Sequence, residues 1–110
     1  MYFDRDVTIF KKVGDGCAKQ IIHGVFYDES RAIGTETKGR AESYMIKAVI
    51  PISNLPIDYC LHEGDYLCKG AIETDYETIS DMRRAEQYYM IQSVSAKDYG
   101  SVPNVLVLGR

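Results

Sequence analysis

The stretch Tyr88-Tyr89-Met90-Ile91-Gln92-Ser93-Val94-Ser95-Ala96-Lys97 is followed by Asp98-Tyr99-Gly100-Ser101 and then by Val105-Leu106-Val107-Leu108. Two runs rich in β-branched and aromatic residues flank a cluster of turn formers, which is the pattern of an antiparallel hairpin. Alternation along Tyr88–Lys97 places Tyr88, Met90 and Val94 on one face and Tyr89 and Ile91 on the other. The closing run, Val105 to Leu108, is expected to pair antiparallel with it.

The same period-two signal recurs outward from this hairpin. Tyr44, Ile46, Ala48, Ile50 and Ile52 alternate, and Pro51 near the end marks an edge or an exit, because proline cannot donate to a ladder. Val7–Val13 reads as a strand closed by Gly14-Asp15-Gly16. Lys19–Asp28 follows, with Ile21, Val25 and Tyr27 on one face and Ile22 and Phe26 on the other. After the break at Asn54-Leu55-Pro56, a short strand is expected through Ile57, Tyr59 and Leu61. His62-Glu63-Gly64-Asp65 turns the chain into another over Tyr66–Ile72. One segment departs from this pattern. Glu77–Gln87 carries Ile79, Met82 and Ala85 three apart, with Thr74/Glu77 or Thr78/Asp81 as alternative N-cap pairs and Arg83 and Arg84 late, where cations suit the helix end. It reads as one short helix packing Ile79 and Met82 on the sheet. The expectation is a mainly β single domain over residues 1–110, a small antiparallel β-barrel or sandwich with one short α-helix.

Composition bounds what such a domain does. The 110 residues are 45% hydrophobic and 26% charged, with a formal net charge of −3. That supports one compact core and excludes a protein held on DNA by bulk basic charge, a collagen-like repeat and a large multi-domain enzyme. The start, Met1-Tyr2-Phe3-Asp4-Arg5-Asp6-Val7, lacks the basic and apolar regions of a secretory signal. No window reaches the roughly 18 apolar residues of a spanning helix. The sequence therefore reads as synthesised in the cytosol with no membrane association. Cys17, Cys60 and Cys68 are an odd set without framework spacing and read as free thiols.

Residues 28–42, DESRAIGTETKGRAE, carry seven charges, two glycines and a single large apolar residue, Ile33. Such a segment buries too little apolar area to offset its ordering entropy and is expected to be a long mobile loop.

Candidate chemistry is sparse. Cys60-x-His62 with Cys68 is a soft-ligand cluster, but a structural zinc site needs four ligands, and the fourth would have to come from distant Cys17 or His23. A nucleophilic pair of Cys17 and His23 needs a proximity that nothing in the sequence imposes. The carboxylates are scattered, and nucleotide-binding loops, nucleophile elbows and zinc-protease motifs are missing. The sequence is thus read as non-enzymatic, with no catalytic residue, no metal and no cofactor. A small cytosolic Cys/His metal-binding or enzymatic domain is the alternative of another class. The nine tyrosines suit strands, and an apolar body with a polar tip also suits interfaces.

Four blocks carry a family resemblance: Tyr2-Phe3-Asp4-Arg5-Asp6-Val7-Thr8-Ile9-Phe10, His23-Gly24-Val25-Phe26-Tyr27-Asp28-Glu29-Ser30, Glu63-Gly64-Asp65-Tyr66-Leu67-Cys68-Lys69-Gly70, and Ile91-Gln92-Ser93-Val94 leading into Lys97-Asp98-Tyr99-Gly100-Ser101. In this order they resemble small structural proteins of phages and prophages of low-GC Gram-positive bacteria, in particular head–tail connector proteins of the head-closure (stopper) group. The resemblance implies a small β-barrel or sandwich and a homo-oligomeric ring in the virion neck, between portal or adaptor and the tail terminator or tube. DNA passes through the lumen of such a ring without sequence-specific binding. The resemblance implies no catalytic residue. A tail-terminator or minor tail protein is the alternative within the same particle. By this resemblance Glu29, Arg31, Ile33, Glu36, Lys38, Arg40 and Glu42 are candidates for a lumen or interaction loop. Tyr2, Phe3, Tyr59, Tyr66 and Tyr99 are candidates for subunit interfaces.

Overall fold

The protein, as a computed structural model describing residues 2–29, 45–99 and 102–110, is a closed six-stranded antiparallel barrel. The strands are β1 (Arg5–Val13), β2 (Gly16–Glu29), β3 (Ile46–Pro51), β4 (Tyr66–Lys69), β5 (Tyr89–Tyr99) and β6 (Val102–Gly109). One α-helix, α1 (Ile79–Ala85), lies between β4 and β5. Around the barrel the order is β1-β2-β3-β6-β5-β4, and β4 returns to β1.

Two long strands make the closure possible. β2 pairs with β1 through Val25 and with β3 from Phe26, so one strand serves two sheets. β5 pairs with β4 at Tyr89 and Met90 and with β6 along the rest of its length. Each of these corner regions carries an irregularity. Register shifts between Arg5 and Asp6, opposite Gly24 with its φ of +78°, and again between Ile91 and Ser93. A bulge bends a strand and strengthens its twist, which is how a sheet turns a corner. The bulges also overturn the simple alternation. Ile22 and Val25, expected on opposite faces, both point into the barrel, as do Ile91 and Val94. A side chain at Gly24 would be strained by its φ of +78°, and its Cβ, 2.6 Å from Asn54 Nδ2, would also displace the Asn54 side chain that donates to the Gly24 carbonyl.

The β1–β2 connection follows from its residues. Val13 pairs with Gly16 across the two-residue turn Gly14-Asp15, with Gly14 at φ +59°. A glycine with positive φ at the first turn position fits a II′ hairpin, whose twist matches the strands it joins.

The hydrophobic residues divide into two cores. Inside the barrel lie Val7, Ile9, Ile22, Val25, Ile46, Ala48, Ile50, Leu61, Leu67, Ile91 and Val107. Outside it, beneath the segment that runs from β4 through α1 to β5, lie Phe10, Cys68, Ile79 and Met82. β1 is the wall between them, so Val7, Thr8, Ile9 and Phe10 are all fully buried. That double burial explains why Val7, Ile9 and Phe10 break a clean alternation and why the polar Thr8 between them is buried too.

α1 is shorter than the expected 77–87. Of the two possible caps, Thr78 is the one used: its Oγ1 accepts from the Asp81 N–H at 3.1 Å. Asp81 in the first turn and Arg83 and Arg84 in the last suit the helix dipole. Thr78→Ala is expected to lower stability by about 1 kcal/mol, the usual value of such a cap, and chemical denaturation measures it.

The strand expected through Ile57, Tyr59 and Leu61 does not form. Pro56 opens a turn closed by Tyr59 N–H donating to Pro56 O at 3.1 Å, and Asp58 takes φ +63°. The alternating apolar residues there have another cause: Leu55, Tyr59 and Leu61 pack onto the barrel core, while Ile57 is 91% exposed. The strand expected over Tyr66–Ile72 stops at Lys69, and the one expected over Tyr44–Ile52 is Ile46–Pro51, with Ile52–Asn54 forming a 3-10 turn. Pro51 is tolerated because the β2 ladder on β3 ends at Val49. β2 runs to Glu29, so residues 28 and 29 belong to a strand and not to the predicted loop.

Candidate interaction surfaces

Most of the predicted lumen loop, including Arg31, Ile33, Glu36, Lys38, Arg40 and Glu42, lies outside the described residues. Its N-terminal foot is described. Glu29, the last residue of β2, places Oε1 2.9 Å from Lys69 Nζ on β4, and Oε2 accepts from the Tyr89 hydroxyl on β5. The point where the chain leaves β2 is thereby tied to the opposite wall of the barrel. Both ion-pair partners are more than one third exposed, so the pair adds at most about 1 kcal/mol, and its main effect is to fix direction.

The predicted interface tyrosines divide. Tyr2 is 80% exposed and Phe3 is half-buried. Tyr59 and Tyr66 are both half-buried and engaged. Tyr59 packs on the barrel core beneath Lys11, whose Nζ lies 5.2 Å from the ring centroid, and burial followed by the nearby Asp65 raises its phenol pKa. Tyr66 packs edge-on against Tyr88, with centroids 5.4 Å apart. These two rings help hold the fold. Nothing is described of the Tyr99 side chain.

Lys11 joins a further cluster that the sequence did not reveal. Its Nζ is 2.5 Å from Asp65 Oδ2 and 3.4 Å from His62 Nδ1, and the His62 N–H donates to the same Asp65 oxygen at 3.0 Å. Lys11 lies on β1, whereas the other members belong to the irregular stretch before β4, so the cluster fastens that stretch to β1. Only the tertiary fold brings residues this far apart in sequence into contact.

The cysteines lie in different environments. Cys60 is exposed, Cys17 is half-buried and Cys68 is buried. Burial first, then the charge of Glu86 and the neighbouring Cys17, pushes the Cys68 thiol up to about 12. Burial raises Cys17 as well. Both are therefore protonated and weakly nucleophilic near neutral pH. Cys60 and His62 do not share a strand face, because no strand forms there. Among the described residues no three His, Cys, Asp or Glu side chains converge as metal ligands. His23 meets Asp6, at 3.1 Å, on the exposed surface.

A basic and aromatic shelf lies beside α1. Arg83 Nε donates to the Tyr88 hydroxyl at 3.0 Å, with the guanidinium 5.6 Å from the ring centroid, and Arg84 pairs with Asp81 at 3.0 Å. With Ser80 these residues line a shallow recess of about 390 Å³. Asp81 and Asp15 temper its charge, so it is a mixed surface rather than a phosphate-gripping one.

Fold and surfaces together define a small closed β-barrel carrying a helical flap on one wall and a charge-rich connection leaving its rim. No helix among the described residues is long and apolar enough to cross a membrane. The chain belongs to a family of unknown function, DUF6751, which matches residues 2–110. No curated protein and no solved structure matches it.

Proposed function

We propose that the protein is a non-enzymatic structural subunit of a tailed phage or phage-derived particle: a head–tail connector of the head-closure type, assembled as a ring around the DNA channel. The observation that carries this reading is a closed barrel whose β2, anchored at Glu29, leads into the charge-rich sequence of residues 30–44. A ring subunit needs a stable body for its neighbours to pack against and a separate element to meet the channel. This reading gives the second role to the β2–β3 connection. The net charge of −3 suits a conduit, because a strongly basic lumen would hold DNA rather than pass it. The ordered blocks that resemble connector proteins support the same reading, and they span both walls of the barrel.

Electron microscopy of the purified full-length protein, across a concentration series, tests the proposal. Closed rings with an open centre are expected. A protein that stays monomeric at every concentration, and is absent from host particles, contradicts it.

A further inference from the structure

The barrel is closed as a circuit of strands, yet each corner strand is paired on both sides over only part of its length. One sheet runs β2-β1-β4-β5 and the other β2-β3-β6-β5. In the first, the outer side of β2 from Cys17 to His23 meets no strand among the described residues, since β3 joins β2 only from Phe26. In the second, the outer side of β5 beyond Ile91 meets none, since β4 reaches only Tyr89 and Met90, and Gly64 and Asp65 bond only to Ile91.

Hairpin geometry fixes which backbone groups face outward. Val13 and Gly16 close a two-residue turn and bond to each other, so bonded pairs recur at alternate residues. Cys17, Lys19, Ile21 and His23 therefore direct N–H and C=O away from β1. Consistent with this, the Ile21 carbonyl accepts from Gln20 Nε2, at 3.0 Å, instead of from a strand. On β5 the pair Tyr99–Val102 sets the phase. Val94, Ala96 and Asp98 direct their backbone groups away from β6, and Pro103, which has no N–H, lies opposite Asp98 as this phase requires.

Free edges are normally blunted by charge, proline or bulges. Past its bulge, the β5 edge over Ser93-Val94-Ser95-Ala96 has neither charge nor proline, and Ala96 is exposed. We infer that the β5 edge of one subunit pairs antiparallel with the β2 edge of the next copy of this chain, joining the two kinds of sheet from subunit to subunit. The occupant is a second copy because the described residues offer two unmatched edges of similar reach on different strands. An interface between two different patches is head-to-tail, and it repeats until a ring closes. The inference rests on the ring reading above and names the surfaces that build the ring.

Ala96→Lys and Ala96→Pro test it. Each blocks the edge, and neither removes a bond to β6, because the Ala96 N–H faces outward. Both variants are expected to keep the wild-type circular dichroism spectrum and to lose the ring in microscopy. Hydrogen exchange on the wild type supplies a second readout. Amides in 92–98 and 17–23 should slow when subunits assemble. Variants that form wild-type rings, or assembly that leaves exchange in both segments unchanged, overturn the edge pairing while the ring reading stands. A wild type that forms no ring removes both. If Ala96→Pro fails to fold, Ala96→Lys and the exchange measurement decide.

Discussion

Phe10→Ala is expected to lower the free energy of unfolding by about 3–5 kcal/mol, the range for removing a large buried aromatic side chain. Phe10 is fully buried, but its side chain lies outside the barrel. It sits under the flap formed by α1 and its flanking segments, in one cluster with Cys68, Ile79 and Met82, and meets the Tyr76 ring edge-on with centroids 5.9 Å apart. Its loss removes the floor on which the flap rests while the interior of the barrel stays intact. Urea denaturation measures the drop, and limited proteolysis is expected to cut the segment between β4 and β5 before the strands. A loss below about 1 kcal/mol would contradict the placement of Phe10 as the centre of the outer core.

Thr8→Val is the second large effect, at about 2–4 kcal/mol, and it arises without a cavity. Thr8 Oγ1 donates to the Gly70 carbonyl at 2.8 Å and accepts from the Ile72 N–H at 2.9 Å. Valine has nearly the same shape, so packing is kept, but two backbone groups lose their partner. Both groups are only partly buried, so each costs toward the lower end of the about 1–3 kcal/mol of an orphaned polar group. Together with Gly70 at φ +83°, the hydroxyl turns the chain out of β4 and into the flap, because the Ile72 N–H is satisfied by Thr8 rather than by a continuing ladder. Thermal unfolding reads the change, and amide exchange at Ile72 is expected to accelerate in step with it. A melting temperature unchanged by the substitution would show that neither bond matters in solution.

Much of this architecture can be read from local pattern. The hairpin of β5 and β6 is announced by its residues, and so is the Gly14-Asp15 turn. A helix near α1 is announced by the Ile79, Met82 and Ala85 spacing, though its residues leave Thr74 and Thr78 open as the cap and only the structure selects Thr78. The failures have common causes. Alternation presumes an unbroken strand, and the irregularities opposite Gly24 and at Ile91–Ser93 shift the faces on the two strands that must bend. Period-two apolar residues at 55–61 imitate a strand, yet only Leu55, Tyr59 and Leu61 pack on the barrel core while Ile57 faces solvent, an arrangement made by turns and not by a ladder. Thr8 and Phe10 gave no hint of a second core, since an apolar run does not say what lies on its outer face. The surfaces were less legible than the fold. The Lys11, Asp65 and His62 cluster and the Glu29 anchor join residues far apart in sequence, and open half-edges depend on where neighbouring strands stop.

As a connector subunit, the protein would occupy the neck of the particle it builds. Cryo-electron microscopy of intact particles from the host, with the barrel fitted to the neck density, tests it most directly. A ring of copies between portal and tail is expected, with β2 and β5 edges of neighbours in register and the β2–β3 connection turned toward the channel. Particles whose neck is fully accounted for by other chains, with this protein present only as a free monomer, would contradict it.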